Sequence, residues 1–296
     1  MDSHTLLFGV IGDPIRHSKS PVMMNRAFRE AGINGAYGAF HVRPDRLGEA
    51  IAGIRALGFR GLNVTIPHKI EVMAFLDAID ESARAIGAVN TIVNEDGRLT
   101  GYNTDGIGYV RSLKEEAEPE LGGKRIVVVG CGGAARGIVW ALTREKPASI
   151  VLANRTEERA RELAASFAPD AGVTAVRWEQ LREACADADV VINTTSVGMA
   201  PNVDATPIDP AWLAPGAVAS DLIYNPLTTA FLRQAQARGC RIHGGLGMFV
   251  YQGAYAFEYW TGRPAPVSAM REAVLASFAE GGTAASSAAA AGTNAD

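Results

Sequence analysis

The sequence predicts an α/β protein of two domains, the first built on a mixed sheet and the second on a doubly wound parallel sheet. Three observations carry this reading. At 296 residues the chain exceeds one typical core and suits two domains of about 100 to 200 residues each. From Lys124 onward, short apolar runs at 126–129, 149–153, 173–176, 190–193 and 218–222 alternate with amphipathic stretches. That is the rhythm of βαβ units, whose strands are covered on both faces by crossover helices. Before Lys124 helical and strand patterns mix, and Asp96-Gly97 stands between two β-prone runs, a good signal for a two-residue hairpin loop.

Composition narrows the function. Hydrophobic residues make up 48% of the chain, charged residues 20%, and the formal net charge is -4, the balance of an ordinary globular protein. No clustered Lys and Arg stripe provides a footprint for nucleic acid. Nor does any stretch approach the ~18 to 20 unbroken apolar residues of a membrane span. The opening Met1-Asp2-Ser3-His4 is acidic rather than basic and lacks the layout of a secretory signal, so the expected location is cytoplasmic and the expected ligands are small molecules. Cys131, Cys185 and Cys240, odd in number and widely spaced, fit reduced thiols rather than a disulfide framework. His17, His41, His68 and His243 are scattered, and without a His/Cys cluster at ligand spacing no metal is expected.

In chain order, the first informative element is 61–66. Gly61-Leu62-Asn63-Val64-Thr65-Ile66 alternates strictly, which puts Leu62, Val64 and Ile66 on one side of a strand and Asn63 and Thr65 on the other. Pro67 then fits the first position of a helix running through Val72, Met73 and Leu76, with Lys69 in its first turn. A cation there opposes the helix dipole by about 0.3 to 1 kcal/mol, in the sense that favours the neutral amine. An exposed Lys on an amphipathic helix is the plainer alternative.

With Asp96-Gly97 as a hairpin loop, pairing proceeds outward from Glu95 with Arg98 until Asn90 lies opposite Asn103, opposed Cβ atoms being roughly 4.5 to 5.5 Å apart. Asp105 follows two residues beyond. Asn90, Asn103 and Asp105 are thus expected at the open end of the hairpin, where the chain crosses into the second domain and a cleft is natural. Asp105 before Gly106 equally suits the N-cap of a helix over 107–115. The domain edges are expected at 106/107 and 247/248.

The run Arg125-Ile126-Val127-Val128-Val129 leads into Gly130-Cys131-Gly132-Gly133-Ala134-Ala135 and then a helix-prone stretch. Strand, glycine turn and helix come in the order a dinucleotide site requires. Gly130 allows the sharp turn, Gly132 lets backbone approach a pyrophosphate, and Ala135 is small enough for close helix-strand packing. At the end of the next strand, Ala153-Asn154-Arg155-Thr156 offers no carboxylate for a ribose 2'-hydroxyl. Arg155, Arg159 and the Thr156 hydroxyl suit a 2'-phosphate instead, so NADP is the expected cofactor. The alternative is that the two arginines balance Glu157 and Glu158 on a solvated helix face. The last ordered piece, 248–280, reads as two helical patterns split at 261–266 and returning to the first domain. The tail 281–296, rich in Ala, Ser, Gly and Thr without an apolar face, is expected to be disordered.

Taken together, these segments resemble the shikimate dehydrogenase family over nearly the whole chain except the tail. The motifs are Gly12-Asp13-Pro14-Ile15-Arg16-His17-Ser18-Lys19-Ser20-Pro21, Asn63-Val64-Thr65-Ile66-Pro67-His68-Lys69, Gly87-Ala88-Val89-Asn90-Thr91, Gly101-Tyr102-Asn103-Thr104-Asp105-Gly106, and Gly247-Met248-Phe249-Val250-Tyr251-Gln252-Gly253-Ala254. The resemblance implies a Rossmann-like second domain and the reversible, NADP-linked reduction of 3-dehydroshikimate to shikimate, on the route to chorismate and the aromatic amino acids. It implies Lys69 and Asp105 as the catalytic pair. Ser18, Ser20 and Tyr224 would hold the substrate carboxylate, and Asn63, Thr65, Asn90, Asp105 and Gln252 the ring hydroxyls. By the same analogy Gly130, Gly132, Gly133, Ala134, Ala135, Asn154, Arg155, Thr156 and Arg159 would take the cofactor's phosphates and ribose. Thr194, Thr195, Ser196 and Leu222 would line the nicotinamide, with Gly245 and Met248 closing its pocket. The assembly stays open between monomer and homodimer.

Hydride transfer at a secondary alcohol needs one group to exchange the hydroxyl proton and others to fix the ring; which of Lys69 and Asp105 carries the proton stays open. Cys131 departs from the alanine expected in the glycine turn. His243-Gly244-Gly245 stands where an asparagine commonly precedes the glycine, so His243 is expected beside the nicotinamide pocket, where it would tune affinity. Two rivals remain: a quinate/shikimate dehydrogenase using NAD or NADP, against which Arg155 and Arg159 argue, and a non-catalytic dinucleotide-sensing module.

Overall fold

The structure, a computed structural model, describes residues 1–291. The chain forms two compact units, Met1–Asn103 together with the segment from Gly253 onward, and Thr104–Gln252. The sequence reading set the edges at 106/107 and 247/248.

The first unit contains β1 (Leu6–Gly12), α1 (Ser20–Glu30), β2 (Gly35–His41), α2 (Leu47–Ala56), β3 (Gly61–Val64), β4 (Ala78–Ile79), α3 (Glu81–Ile86), β5 (Thr91–Glu95) and β6 (Arg98–Tyr102). Its six strands lie in the order β2-β1-β3-β5-β6-β4. They run parallel across β2, β1 and β3 and antiparallel from β3 to β5 to β6, so the sheet is mixed, as the sequence predicts. The hairpin forms in the expected register, from Glu95 with Arg98 to Thr91 with Tyr102. Asp96 and Gly97 both have positive φ, 52° and 94°, as a two-residue loop matched to strand twist requires. Asn90 donates its N–H to the Tyr102 carbonyl at 3.0 Å, continuing the ladder to the hairpin's open end.

The second unit contains α4 (Asp105–Glu116), β7 (Arg125–Val129), α5 (Gly133–Arg144), β8 (Ser149–Ala153), α6 (Glu157–Ala165), β9 (Val173–Ala175), α7 (Leu181–Ala186), β10 (Val190–Asn193), β11 (Val218–Asp221), α8 (Ala230–Ala237) and β12 (Arg241–His243). Every pairing is parallel and the order is β12-β11-β10-β7-β8-β9. The chain winds one way from β7 through β8 to β9 and the other way from β10 outward, which makes the carboxyl ends of β7 and β10 a switch point where ligands bind. Ile126 and Val128 bury against Ile138 and Leu142 of α5, while Val127 and Val129 bury with Leu181, Phe231 and Leu232. β12 was not anticipated, because Arg241-Ile242-His243 carries a single apolar residue. Here the ladder to β11 overrides a weak local signal.

The chain ends in α9 (Gly245–Thr261) and α10 (Val267–Ala291). The expected end of order at Glu280 therefore falls inside a helix. Alanine's intrinsic helix propensity carries 284–291 without an apolar face; residues 292–296 lie outside the described residues. In the first unit, Ile11, Leu62, Val64, Ile92 and Leu99 form one core with Leu47, Ile51 and Ile54 of α2. Aromatic residues fill another layer: Phe8 stacks on Phe28 of α1 at 4.6 Å and lies 5.2 Å from Trp260 of α9. A Cβ on Gly61 would stand 2.0 Å from Trp260 Nε1, so only glycine admits the indole, whose N–H donates to the Ile92 carbonyl at 2.9 Å.

Two local expectations fail around Lys69. β3 ends at Val64, and Ile66 is 72% exposed rather than in the core, because the Thr65 N–H reaches back to Ile11 and the His68 N–H closes a turn on Thr65. The helix expected from Pro67 is instead a run of turns followed by a 3-10 helix at Glu71–Phe75. The Lys69 carbonyl accepts from Val89 N–H at 2.8 Å rather than from a helical neighbour, and the helix-dipole argument for this lysine lapses. No helix among the described residues is long and apolar enough to cross a membrane.

Candidate active site

In the first unit, two of the expected substrate residues, Asn63 and Asn90, are joined by buried hydrogen bonds. Asn63 of β3 sits directly opposite Thr91 of β5. Asn63 Nδ2 donates to the Asn90 carbonyl at 3.2 Å and to Thr91 Oγ1 at 3.1 Å, and the Thr91 hydroxyl donates to Asn90 Oδ1 at 2.9 Å. On its other side Asn63 Oδ1 accepts from the Tyr37 hydroxyl at 2.7 Å. Burial pushes the Tyr37 hydroxyl well above its ordinary pKa, which keeps it protonated as a donor. Ser20 opens α1 and its backbone N–H donates to Ser18 Oγ at 3.3 Å, which fixes the Ser18 hydroxyl against the start of the helix. Lys19, between them, donates to the Ser277 carbonyl of α10 at 3.1 Å. Lys69 and Thr65 are half-buried.

In the second unit the glycine turn, the end of β8 and the loop after β10 converge at the switch point. Gly130 has φ +100°, and a Cβ there would stand 2.6 Å from Thr195 Cγ2. Thr194 Oγ1 donates to the Gly130 carbonyl at 2.8 Å. Cys131 N–H donates to Asn154 Oδ1 at 3.1 Å, and Asn154 Nδ2 donates to the Thr156 carbonyl at 2.8 Å, which ties the turn to the Asn154-Arg155-Thr156 stretch. Gly132 caps α5, and around a Cβ on Gly132 or Gly133 there is no atom within 4 Å. Gly132, Gly133 and Ala134 are exposed and Ala135 is buried: an open backbone cradle at a helix N-terminus, backed by close packing, which fits a dinucleotide pyrophosphate.

Arg155 and Arg159 are both exposed, and neither forms an ion pair among the described residues. Glu157 pairs with Arg161 at 2.6 Å instead. Thr156 is the N-cap of α6, yet its hydroxyl makes no capping bond. Two guanidinium groups and a hydroxyl are therefore grouped at the end of β8 without an internal carboxylate to satisfy the cations, an arrangement suited to a phosphate monoester.

Asp105 is the first residue of α4 rather than its cap; Thr104 takes that place and donates to the Gln252 carbonyl at 3.0 Å. Gln252 Nε2 donates to the Phe249 carbonyl at 2.8 Å, and the Phe249 ring stacks on Tyr224 at 4.9 Å. Tyr224, Gln252 and the start of α4 thus share one neighbourhood. Leu222 and Met248 pack beside the second unit's core, Ser196 is exposed, and Gly245 fits against the loop after β11, where a Cβ would stand 2.1 Å from the Leu222 carbonyl oxygen.

Comparison with known proteins decides the family. Residues 10–92 match the shikimate dehydrogenase substrate binding domain, 112–202 the shikimate/quinate 5-dehydrogenase model, and 245–275 the shikimate 5'-dehydrogenase C-terminal domain. The NADP(+) shikimate dehydrogenase of Geobacillus kaustophilus is 51% identical over 272 residues, 91% of this chain and 97% of the relative. The chain belongs to the shikimate dehydrogenase family. Among solved structures, a shikimate dehydrogenase in complex with NADP+ superposes with a TM-score of 0.86 at 41% identity, covering 94% of this chain and 97% of that one. The Listeria monocytogenes shikimate 5-dehydrogenase, in complex with shikimate and NAD, superposes with a TM-score of 0.87 at 38% identity over 92% and 97%.

Tyr37 and Thr91 of this shikimate dehydrogenase family member went unassigned in the sequence. Both connect the polar cluster, but Thr91 meets Asn63 only through the pairing of β5 with β3 and Tyr37 reaches it from β2 across the intervening β1, which no local pattern discloses. Asp221, buried at the end of β11, accepts from Asn193 Nδ2 at 3.1 Å, Ile223 N–H at 3.0 Å and the Thr229 hydroxyl at 2.8 Å. It thereby ties the loops after β10 and β11 together. Burial raises its carboxyl to about 6, against the pull of these bonds. His243, expected to border the nicotinamide pocket, is 1% exposed, with Nδ1 2.8 Å from Ser220 Oγ and Nε2 2.7 Å from Ser112 Oγ. Its side chain braces β12 against β11 and α4, because a buried imidazole needs partners for both nitrogens. Cys131 packs half-buried against the second unit's core, and burial pushes its thiol up to about 11, which leaves it protonated and unreactive.

Proposed function

We propose that this chain catalyses the reversible NADP-linked reduction of 3-dehydroshikimate to shikimate in the cytoplasm, on the route to chorismate and the aromatic amino acids. The observation that carries the reading is the pair of free-standing cations, Arg155 and Arg159, beside an open glycine turn in a member of this family. It supports a dinucleotide bearing a 2'-phosphate.

Met1–Asn103 serves as the substrate-binding part and Thr104–Gln252 as the cofactor-binding part. NADPH, when bound, supplies the hydride. Ser18, Ser20 and Tyr224 receive the substrate carboxylate through hydroxyl donors, while Asn63, Thr65, Asn90 and Gln252 orient the ring hydroxyls so that one face of the reacting carbon meets the cofactor. Lys69 and Asp105 exchange the proton at the reacting oxygen. The glycine turn receives the pyrophosphate through Gly130, Gly132, Gly133, Ala134 and Ala135. Asn154, Arg155, Thr156 and Arg159 hold the phosphorylated ribose, and Thr194, Thr195, Ser196, Leu222, Gly245 and Met248 surround the nicotinamide.

The test is NADPH formation from shikimate by purified protein, run beside quinate, NAD and Lys69→Ala. The expected result is fast turnover with shikimate and NADP that falls about 10²- to 10⁴-fold in the variant. Comparable turnover of quinate with NAD would assign the protein to the dual-specificity dehydrogenases, and no turnover with either alcohol would leave a dinucleotide-sensing module.

A further inference from the structure

We infer that Thr91 is a positioning residue for substrate recognition, acting through Asn63 and Asn90; the inference rests on the reading of those two amides as substrate ligands. Thr91 is fully buried in β5, and its hydroxyl stands between the two side-chain amides, 3.1 Å from Asn63 Nδ2 and 2.9 Å from Asn90 Oδ1. The polarity of these bonds follows from what each atom can do. The Asn90 backbone carbonyl accepts only, so the Asn63 atom 3.2 Å from it is Nδ2. A flipped amide would set two carbonyl oxygens against each other. Asn63 Oδ1 therefore faces Tyr37 and takes the single phenolic proton. With an Asn63 N–H donating to it, Thr91 Oγ1 sends its own proton onward to Asn90 Oδ1.

The donors thus point one way, from Tyr37 to Asn63 to Thr91 to Asn90. The chain sets the sense in which each amide meets a ligand. Asn63 has given both of its Nδ2 protons to protein oxygens, so it offers a substrate hydroxyl only the remaining lone pair of Oδ1. Asn90 holds its Oδ1 on the same hydroxyl, so Thr91 fixes the sense of both amides. The Asn63 amide thus meets a ligand as an acceptor, a polarity that recognises a hydroxyl and discriminates against groups that only accept. Remove the Thr91 hydroxyl and both amides lose the bond that fixes their sense, although neither touches a different neighbour.

Thr91→Val keeps the β-branched shape that suits a strand and deletes the relay; Thr91→Ser keeps the relay. Steady-state kinetics should show the KM for shikimate rising about tenfold in Thr91→Val, the effect of a buried polar group left unsatisfied. The turnover number should stay within about threefold, the KM for NADP should not change, and Thr91→Ser should lie within about twofold of the wild type. Thr91→Val with an unaltered KM for shikimate, or with both KM values raised alike, overturns the inference. A wild type that fails to turn over shikimate in the same assay overturns the functional reading and this inference with it, so the two failures are told apart.

Discussion

Gly106 of α4 faces Gly137 of α5 so closely that a Cβ at position 106 would stand 2.1 Å from the Gly137 carbonyl oxygen. The two helices meet at a distance only glycine permits, immediately after Asp105. Alanine is the better helix former by about 1 kcal/mol, yet backbone cannot rotate away as a side chain can, and the clash outweighs the propensity. Gly106→Ala is expected to lose about 1 to 3 kcal/mol and to lower both the melting temperature and the turnover number, read by thermal unfolding and shikimate oxidation. A variant as stable as the wild type would show that α4 can shift, and would undo the argument.

Arg155 and Arg159 are the groups on which cofactor choice turns. Each lacks an ion-pair partner among the described residues, and Arg161 has taken Glu157, so truncation removes no internal salt bridge and should leave stability unchanged. Arg155→Ala should raise the KM for NADP at least about tenfold, the loss of one charge-assisted bond to a phosphate, while leaving the KM for NAD within about twofold. Equal loss for both dinucleotides would mean that Arg155 serves the loop rather than the 2'-phosphate.

Much of this could be read in the sequence, and what could not has identifiable causes. The parallel strands of the second unit announced themselves as apolar runs because both faces are covered. β12 did not, since an outer strand with Arg241 and His243 satisfies itself through hydrogen bonds rather than apolar area. The hairpin was legible to the register because Asp96-Gly97 fixes it locally. The helix expected at Pro67 was not to be had, because the fate of the Lys69 carbonyl depends on Val89, twenty residues away, and no periodicity reports that. The same holds for Thr91 and Tyr37: Thr91 sits on β5, beside Asn63, and Tyr37 on β2, one strand beyond β1, relations created by strand order. His243 lay beside the right loop in sequence, yet its ring is consumed by Ser112 and Ser220, which only the folded sheet brings within reach.

Glu118 offers a test of electrostatics away from the ligands. Burial alone would raise its carboxyl, but Arg241 at 2.7 Å and then Lys124 at 3.5 Å outweigh burial and hold it below the usual range. A carboxyl lowered in the folded state contributes stability above its unfolded pKa and loses it as pH falls through the folded value. Arg241→Met is expected to cost about 1 to 3 kcal/mol at pH 7 and to weaken the loss of stability on acidification below about pH 4.5, followed by urea unfolding. An unchanged acid limb would assign that limb to other carboxylates.

Asp221 carries the opposite sign. Burial raises its carboxyl from 3.8 to about 6, so between those values the folded protein holds a proton that the unfolded chain has released. Its favourable contribution is complete below about pH 4 and is lost as pH rises through about 6. Asp221→Asn keeps the shape and cannot titrate. The stability of the wild type relative to this variant should therefore decline from pH 4 to pH 7 by an amount on the order of 3 kcal/mol, at about 1.4 kcal/mol for each unit of the shift. Urea unfolding of both proteins across that range measures it. Because Asn193, Ile223 and Thr229 all donate to this carboxylate, the same variant should raise the KM for NADP, with the loops after β10 and β11 no longer held by an acceptor at both oxygens. A pH-independent difference in stability would show that Asp221 stays ionised throughout, its three donors having outweighed burial.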